Sequence, residues 1–320
     1  MKKYDVVSLG ELLIDFTESG RSDRNHPLFE ANPGGAPCNV LSMLNKCGRK
    51  TAYIGKVGSD IFGMQLKTAL EELHIDTSNL FLDPAVPTTL AFVQTTRDGD
   101  RDFVFYRNPG ADMMLTPEEV KADLLKDTNI FHFGSISMTH TYAREATRKA
   151  ITIAKEHNSL ISFDPNLRKP LWKDLNDARE QITYGFTQCD ILKISDNELV
   201  WYTGEKDLFK AAHWLKTHYE IPLLLLTMGR EGSCALYKNT QVKVSPFLHH
   251  NTIDTTGAGD TFLGCCLNKL LAWDFYSLDE IQLKEMLTFA NAAASIVTTR
   301  RGALRVMPNL SEIHALCSTH

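Results

Sequence analysis

The stretch Asp254-Thr-Thr-Gly-Ala-Gly-Asp-Thr-Phe-Leu-Gly264 decides how this chain is read. Small residues at Gly257, Ala258 and Gly259 let backbone N–H groups converge on an anion. The apolar residues that follow open a helix, whose first turn adds unsatisfied donors and a positive dipole end. Asp260 is the unexpected member of this group, because a bound phosphate repels a carboxylate. A general base that takes a proton from an alcohol, while the N–H groups hold a transferring phosphoryl, gives both features a use. An Asp capping a helix after a glycine turn is the ordinary alternative. The segment alone leaves both readings open.

The familiar nucleotide fingerprints are absent. Gly58–Gly63 is followed by Met64, so there is no Lys to complete a P-loop, and Gly257-Ala-Gly259 meets Phe262 where a third glycine would complete a dinucleotide turn. Composition narrows the class further. With 320 residues, 43% hydrophobic and 23% charged, the chain can build a large core, and its 19 Gly, 12 Pro and 7 Cys exclude collagen-like and disulfide-scaffold folds. The formal charge of −5 provides no general field for nucleic acid or an anionic membrane, so any anionic ligand must be held by local donors. Seven scattered cysteines without a C-x-x-C pair argue for a reducing compartment and against zinc. Asp5 and Glu11 interrupt the apolar start, so no signal peptide is expected. No uncharged run approaches the ~18 residues of a membrane span. The expected location is cytoplasmic.

Short β-branched runs alternate with longer amphipathic stretches. Val6–Leu9, Ala52–Lys56, Ile130–Phe133, Leu160–Phe163, Ile191–Ile194 and Leu223–Thr227 read as buried strands. Val40–Cys47, Gln65–His74, Arg144–His157, Asp207–His218 and Glu285–Thr298 read as helices. This alternation predicts a largely parallel sheet with helices on both faces. Leu12–Asn32 and Pro87–Ala111 break the rhythm. In the second, Thr89–Gln94, a turn at Asp98-Gly-Asp and Arg101–Tyr106 read as an antiparallel hairpin. It could form a separate small sheet over a site, or an edge of the main sheet.

These residues carry a family resemblance. Asp254–Gly264 resembles the C-terminal signature of the ribokinase-like, or PfkB, carbohydrate kinases, and Gly34-Gly-Ala-Pro-Cys-Asn39 resembles their sugar-binding signature. Gly55-Lys-Val-Gly58, Thr227-Met-Gly-Arg-Glu-Gly232, Asn291-Ala-Ala-Ala and Arg300-Arg-Gly-Ala303 extend the match over nearly the whole chain. Within the family, Gly10–Asp15, Gly99–Asp112, Phe163–Arg168 and Pro170-Leu-Trp172 are most similar to fructokinases. The resemblance implies one doubly wound α/β domain over residues 1–320, with the out-of-rhythm segments (about 12–32 and 87–111) forming a small β lid.

The resemblance also implies roles. Asp260 becomes the base, and Gly257, Ala258 and Gly259 the anion hole. Asp15, Gly34, Gly35 and Asn39 would bind sugar hydroxyls, chemistry that suits a carboxylate, an amide and glycines that allow close backbone approach. Arg107 would reach from the lid toward substrate, and Arg168 would lie near the transferring phosphate. Lone arginines are more often solvated or in surface ion pairs. Thr227, Gly229, Gly232 and Asn291 would face the nucleotide, although T-x-G-x-x-G is also a strand-to-strand turn. The family's N-x-x-E magnesium element reads Ser195-Asp-Asn-Glu198 here. Glu198 would therefore meet Mg2+ through water, or simply close a helix capping box with Ser195. Asp254, Thr256, Val297, Arg300 and Gly302 match the positions of a K+ site, while Val306 stands where ribokinase offers a hydroxyl. Cys265 replaces the usual Gly or Ala, and His249 and His250 read as loop residues.

The expected activity is ATP-dependent phosphorylation of a primary sugar hydroxyl, with fructose to fructose 6-phosphate favoured. A 2-keto-3-deoxygluconate kinase is the nearest rival, because Arg107 and Arg168 also match positions that face an acid sugar's carboxylate. A catalytically silent sugar-binding protein is the rival from another class, and a nucleoside kinase or a dehydrogenase stands further off. The expected partners are sugar and ATP, with a homodimer through the lid and no nucleic acid or membrane.

Overall fold

The computed structural model describes residues 2–95, 101–248 and 251–318. The Asp98-Gly-Asp turn, His249 and His250 lie outside the described residues. The chain begins β1 (Tyr4–Leu9), β2 (Leu13–Arg21), β3 (Pro27–Gly34), α1 (Ala36–Lys46), β4 (Thr51–Gly58), α2 (Ile61–Glu72) and β5 (Asp76–Asp83). It continues through β6 (Leu90–Thr95), β7 (Arg101–Tyr106), α3 (Ala122–Lys126), β8 (Thr128–Gly134), α4 (Thr141–Glu156), β9 (Leu160–Asp164) and α5 (Leu175–Gln188). Then come β10 (Ile191–Ser195), α6 (Asp196–Thr203), α7 (Leu208–His218), β11 (Leu223–Thr227), β12 (Ser233–Tyr237) and β13 (Thr240–Val244). The last helices are α8 (Ala258–Leu270), α9 (Glu280–Val297) and α10 (Leu310–Cys317).

Nine strands form one sheet in the order β13-β12-β11-β10-β9-β8-β1-β4-β5. All pairs from β11 to β5 are parallel, and only β12 and β13 turn back antiparallel. The predicted doubly wound, largely parallel sheet is therefore present. Its strands read as continuous apolar runs because both faces are covered. Val6 faces one core and Val7 the other; Leu223 and Leu225 alternate likewise with Leu224 and Leu226. Helices α1, α2, α8 and α9 cover the first face, and α4, α5 and α7 the second.

Helices α1, α2, α4 and α9 start earlier than the apolar periodicity indicates, whereas α7 begins one residue after the expected Asp207. Asp60 caps α2 by accepting from the N–H groups of Phe62 and Gly63, and Asp279 closes a capping box with Gln282 at α9. The first turns carry exposed Ile61 and Ile281, which blur the apolar stripe there. The pattern also passed over β5, β12, β13, α5 and α10. The edge strand β13 alternates too briefly to stand out.

The two out-of-rhythm segments form a second sheet, ordered β3-β2-β6-β7. Strands β2 and β3 are antiparallel, β2 and β6 parallel, and β6 and β7 the expected antiparallel hairpin. This sheet springs from the carboxyl ends of β1 and β5. Phe16 stacks on Phe92, which meets Phe29 and Tyr106 edge-on, so aromatic rings tie its strands together. The strand β3 runs on to Gly34, two residues past the expected boundary, and delivers the chain directly into α1. Residues after Tyr106 leave the sheet, and Arg107 turns into the body, buried.

The carboxyl ends of β1, β9, β10 and β11 open on one rim, where ligands collect in sheets of this kind. Helices α1 and α8 pack together at that rim. They come close at Gly264, where a Cβ would lie 2.8 Å from Met43 Cβ and 3.0 Å from the Val40 carbonyl oxygen. Ala favours a helix over Gly by ~1 kcal/mol, but here the overpacking outweighs that gain. Gly264→Ala is expected to destabilise the fold by about 1–2 kcal/mol in denaturant unfolding.

Candidate active site

The backbone before α8 is pinned to the end of α9. The N–H groups of Ile253 and Asp254 both donate to the Thr298 carbonyl. Gly257 then adopts a left-handed conformation, φ 76°, and starts the helix without a side-chain cap. An L side chain there would be strained, and its Cβ would meet that of Ala303 at 2.7 Å. The capping alternative for Asp260 is therefore not what the chain does. Asp260 lies in the first turn of α8, 9% exposed, and accepts a 2.8 Å hydrogen bond from Asn39 Nδ2. Burial raises its pKa, against the opposing pull of Asn39, Lys193 and Arg168. A raised but ionisable carboxylate at a helix N-terminus suits proton abstraction.

Asn39 links this base to the segment from β2 to α1. It sits in α1 and is 4% exposed. Its Oδ1 is buried without a hydrogen-bond partner, an acceptor that a hydroxyl donor would satisfy. Gly35, φ 136°, begins the helix where a Cβ would strike the Glu11 carbonyl oxygen. The Asp15 carboxylate lies across Gly34 at a distance no side chain on residue 34 would permit. Burial pushes Asp15 up to about 7, with Arg168 opposing and Asp254 adding to the rise. Asp15 at Gly34, the Asn39 N–H on the Gly35 carbonyl and Asn39 on Asp260 thus form one chain of contacts.

Glu11 belongs to the same neighbourhood and was not singled out in the sequence. It is buried, with a pKa raised to about 7 by desolvation, and its Oε1 accepts from Ala36 N at 2.8 Å. It holds the glycine turn in place. Its signal was a carboxylate inside the apolar run Gly10-Glu-Leu-Leu13.

The two arginines differ. Arg107 is 5% exposed: Nε and Nη2 reach Asp112 Oδ2 at 2.8 and 2.7 Å, Nη1 donates to Thr139 Oγ1, and Nη2 to the Ile136 carbonyl. Its charge is neutralised and most of its donors are engaged. Arg168 is exposed, makes no ion pair among the described residues, and acts electrostatically on both Asp15 and Asp260. Of the two, Arg168 is the guanidinium available to an anion.

On the other side of Asp260 lies a cluster that the sequence reading passed over. Lys193 of β10 and Asp164 at the end of β9 form a buried ion pair, Nζ to Oδ2 2.9 Å. Glu198 and Asp260 both act electrostatically on this pair. Glu198 closes the capping box: Oε2 accepts from Ser195 N at 2.9 Å, and Oε1 accepts from Leu167 N at 2.7 Å. It therefore ties the start of α6 to the Arg168 loop.

Thr227 ends β11 opposite Ser195 and Ser233. Gly229 and Gly232, both at positive φ, make the turn into β12, so the T-x-G-x-x-G is a strand-to-strand turn as well. Asn291 of α9 donates from Nδ2 to the carbonyls of Val244 and Ser245 and so fixes the chain leaving β13. Asp254 joins two loops by accepting from the N–H groups of Thr256 at 2.7 Å and Gly302 at 3.4 Å. Arg300 N donates to the Val297 carbonyl, while its side chain reaches the Val306 carbonyl and Glu312. These contacts hold the Asp254–Thr256 segment against the Arg300–Gly302 segment just before α8. Among the described residues no three His, Cys, Asp or Glu side chains are grouped to hold a metal ion. A divalent ion here fits only as one carried mainly by phosphate oxygens and water.

The sequence pattern of the pfkB family carbohydrate kinases matches residues 3–310. The chain belongs to this family. It is 42% identical over 309 residues to fructokinase-2 of Solanum lycopersicum, covering 96% of this chain and 94% of that one. The crystal structure of a fructokinase with bound ATP from Xylella fastidiosa superposes with a TM-score of 0.91 at 29% identity, covering 100% and 99% of the two chains. A fructokinase double mutant from Vibrio cholerae O395, in fructose, ADP and potassium ion bound form, gives 0.87 at 27% identity, with 99% of each chain covered. The chain is thus a carbohydrate kinase of ribokinase-like fold, a phosphotransferase.

Asp15 carries a stability consequence. In the unfolded chain it ionises near the ordinary carboxylate value, in the native protein near 7. Between those values the native state binds the extra proton, so stability falls as pH rises toward about 7. Asp15→Asn is expected to raise Tm at pH 8 by about 2 °C, and by less at pH 5, in thermal melts.

Proposed function

We propose that the protein is an ATP-dependent fructokinase, converting D-fructose to fructose 6-phosphate. The observation that carries this reading is Asp260, held by Asn39 at the N-terminus of α8 beside Gly257, Ala258 and Gly259. Asp15, Asn39 and the backbone at Gly34 and Gly35 bind the sugar hydroxyls. Asp260 takes the proton of the primary hydroxyl as its oxygen attacks the γ-phosphorus of ATP and ADP leaves. The N–H groups of residues 257–259 and the Arg168 guanidinium hold the transferring group. Thr227, Gly229, Gly232 and Asn291 form the nucleotide end. Bound Mg2+ would neutralise phosphate charge, with Glu198 facing it through water. A K+ ion would sit between the Asp254–Thr256 and Val297–Gly302 loops and fix the shape of the anion hole.

We read residues 1–320 as one domain in which the segments about 12–32 and 87–111 act as a lid, excluding water on closure. Leu28, Phe29, Val104 and Tyr106 are exposed on that small sheet, and pairing of two lids would cover them. All seven cysteines are free thiols, which suits the cytoplasm. No helix among the described residues is long and apolar enough to cross a membrane.

The second reading, a 2-keto-3-deoxygluconate kinase, needs a free cation for the sugar's carboxylate. Arg107 is committed to Asp112, and Arg168 is assigned above to the transferring phosphoryl, so neither is left for a sugar carboxylate, which favours the neutral sugar. The silent-protein reading leaves a buried, oriented Asp260 without a use. ADP release measured across fructose, 2-keto-3-deoxygluconate, ribose, mannose and a nucleoside is expected to be fastest with fructose. Activity on the acid sugar alone would overturn the assignment. Asp260→Asn is expected to lower kcat by at least ~100-fold with no loss of Tm, and near-wild-type turnover would remove Asp260 as the base.

A further inference from the structure

The Lys193–Asp164 pair has no part in the chemistry above, yet its placement is specific. Lys193 is almost wholly buried, its side chain 8% exposed, and Asp164's is 4% exposed. Ion pairs buried this deeply seldom stabilise a fold more than apolar residues of the same volume would. A structural role alone is therefore a weak reason for this one. Its location supplies a better reason. A Cβ on Gly259 would lie 2.9 Å from Lys193 Nζ and 3.4 Å from Cε. The ammonium therefore lies against the back of the anion hole, in the space that a side chain at residue 259 would take. Its protonated form is favoured by Asp164, Glu198 and Asp260, against the effect of burial.

We propose that Lys193 is a positioning residue for phosphoryl transfer: its ammonium, braced by Asp164, sets a fixed positive charge behind Gly259 that orients the anion hole and the Asp260 carboxylate. This rests on the reading of Asp260 as the base. The charges around Asp260 come from every side: Lys193 on β10, Asp164 on β9, Glu198 on α6 and Arg168 on the loop after β9, with neutral Asn39 on α1. Arg168 is exposed and solvent-screened, so Lys193 is the buried cation in the set. Asp164 draws on the same ammonium. Removing Lys193 and removing Asp164 should therefore move Asp260 in opposite directions.

The test uses Lys193→Met, Asp164→Asn and the double variant, with kcat, both KM values, the pH profile of kcat/KM and Tm. Lys193→Met is expected to lower kcat by about 10- to 100-fold, less than the loss of a direct anion-hole donor. Its sugar KM should stay within about threefold of wild type, and the acid limb should move to higher pH. Asp164→Asn should move that limb to lower pH. The double variant, which leaves no unpaired buried charge, should keep its Tm and remain as slow as Lys193→Met. A double variant with wild-type kcat and an unmoved acid limb would overturn the proposal. So would single variants that lose Tm while their folded fraction keeps wild-type kcat and limb. Asp260→Asn, run alongside, separates the two failures: if it remains active the base assignment falls, and if it is inactive while Lys193→Met is unaffected only the role of Lys193 falls.

Discussion

The hydrogen bond from Asn39 to Asp260 is the contact on which the site depends. It crosses 221 residues of sequence and joins the first helix of the chain to the helix that opens on the Gly257–Gly259 turn. Neither half has a use without the other. Asp260 alone is a buried carboxylate with a raised pKa, and Asn39 alone is a buried amide with an orphaned acceptor. Together they place a proton acceptor where a sugar hydroxyl would complete Asn39's bonding. The close approach of α1 and α8 at Gly264 keeps the two side chains in register.

A second constraint is charge. The chain is acidic overall, and its site gathers Asp15, Asp164, Glu198 and Asp260. An anionic nucleotide can enter such a place only if positive potential is built in locally. The helix N-terminus, the exposed Arg168 and the buried Lys193 supply it, and the low dielectric around Lys193 makes its charge count most. Burial raises the pKa values of Asp15, Asp164 and Asp260, and the cations limit how far they rise.

Much of the fold and of the site was legible in the sequence, for identifiable reasons. Strands such as Leu223–Thr227 show because a parallel sheet buries both faces. The glycine turn that opens α8 shows because Gly257 takes positive φ and a Cβ on Gly259 would crowd Lys193. The small sheet shows as two stretches without a following helix. Three things were hidden. Glu11 and Lys193 look like single charges in apolar runs, and only the fold reveals what they brace. The engagement of Arg107 by Asp112 depends on the turn after Tyr106, which no local pattern encodes. Helix starts with exposed Ile61 and Ile281 carried the wrong periodicity for a buried stripe.

The central claim is that Asn39 acts through Asp260 as one catalytic unit. A double-mutant cycle on kcat/KM for fructose, with Asn39→Ala, Asp260→Asn and the double variant, tests it most directly. If the two residues form a unit, the double variant is no slower than Asp260→Asn alone. Losses that multiply, each residue costing its full factor whether or not the other is present, would contradict the account.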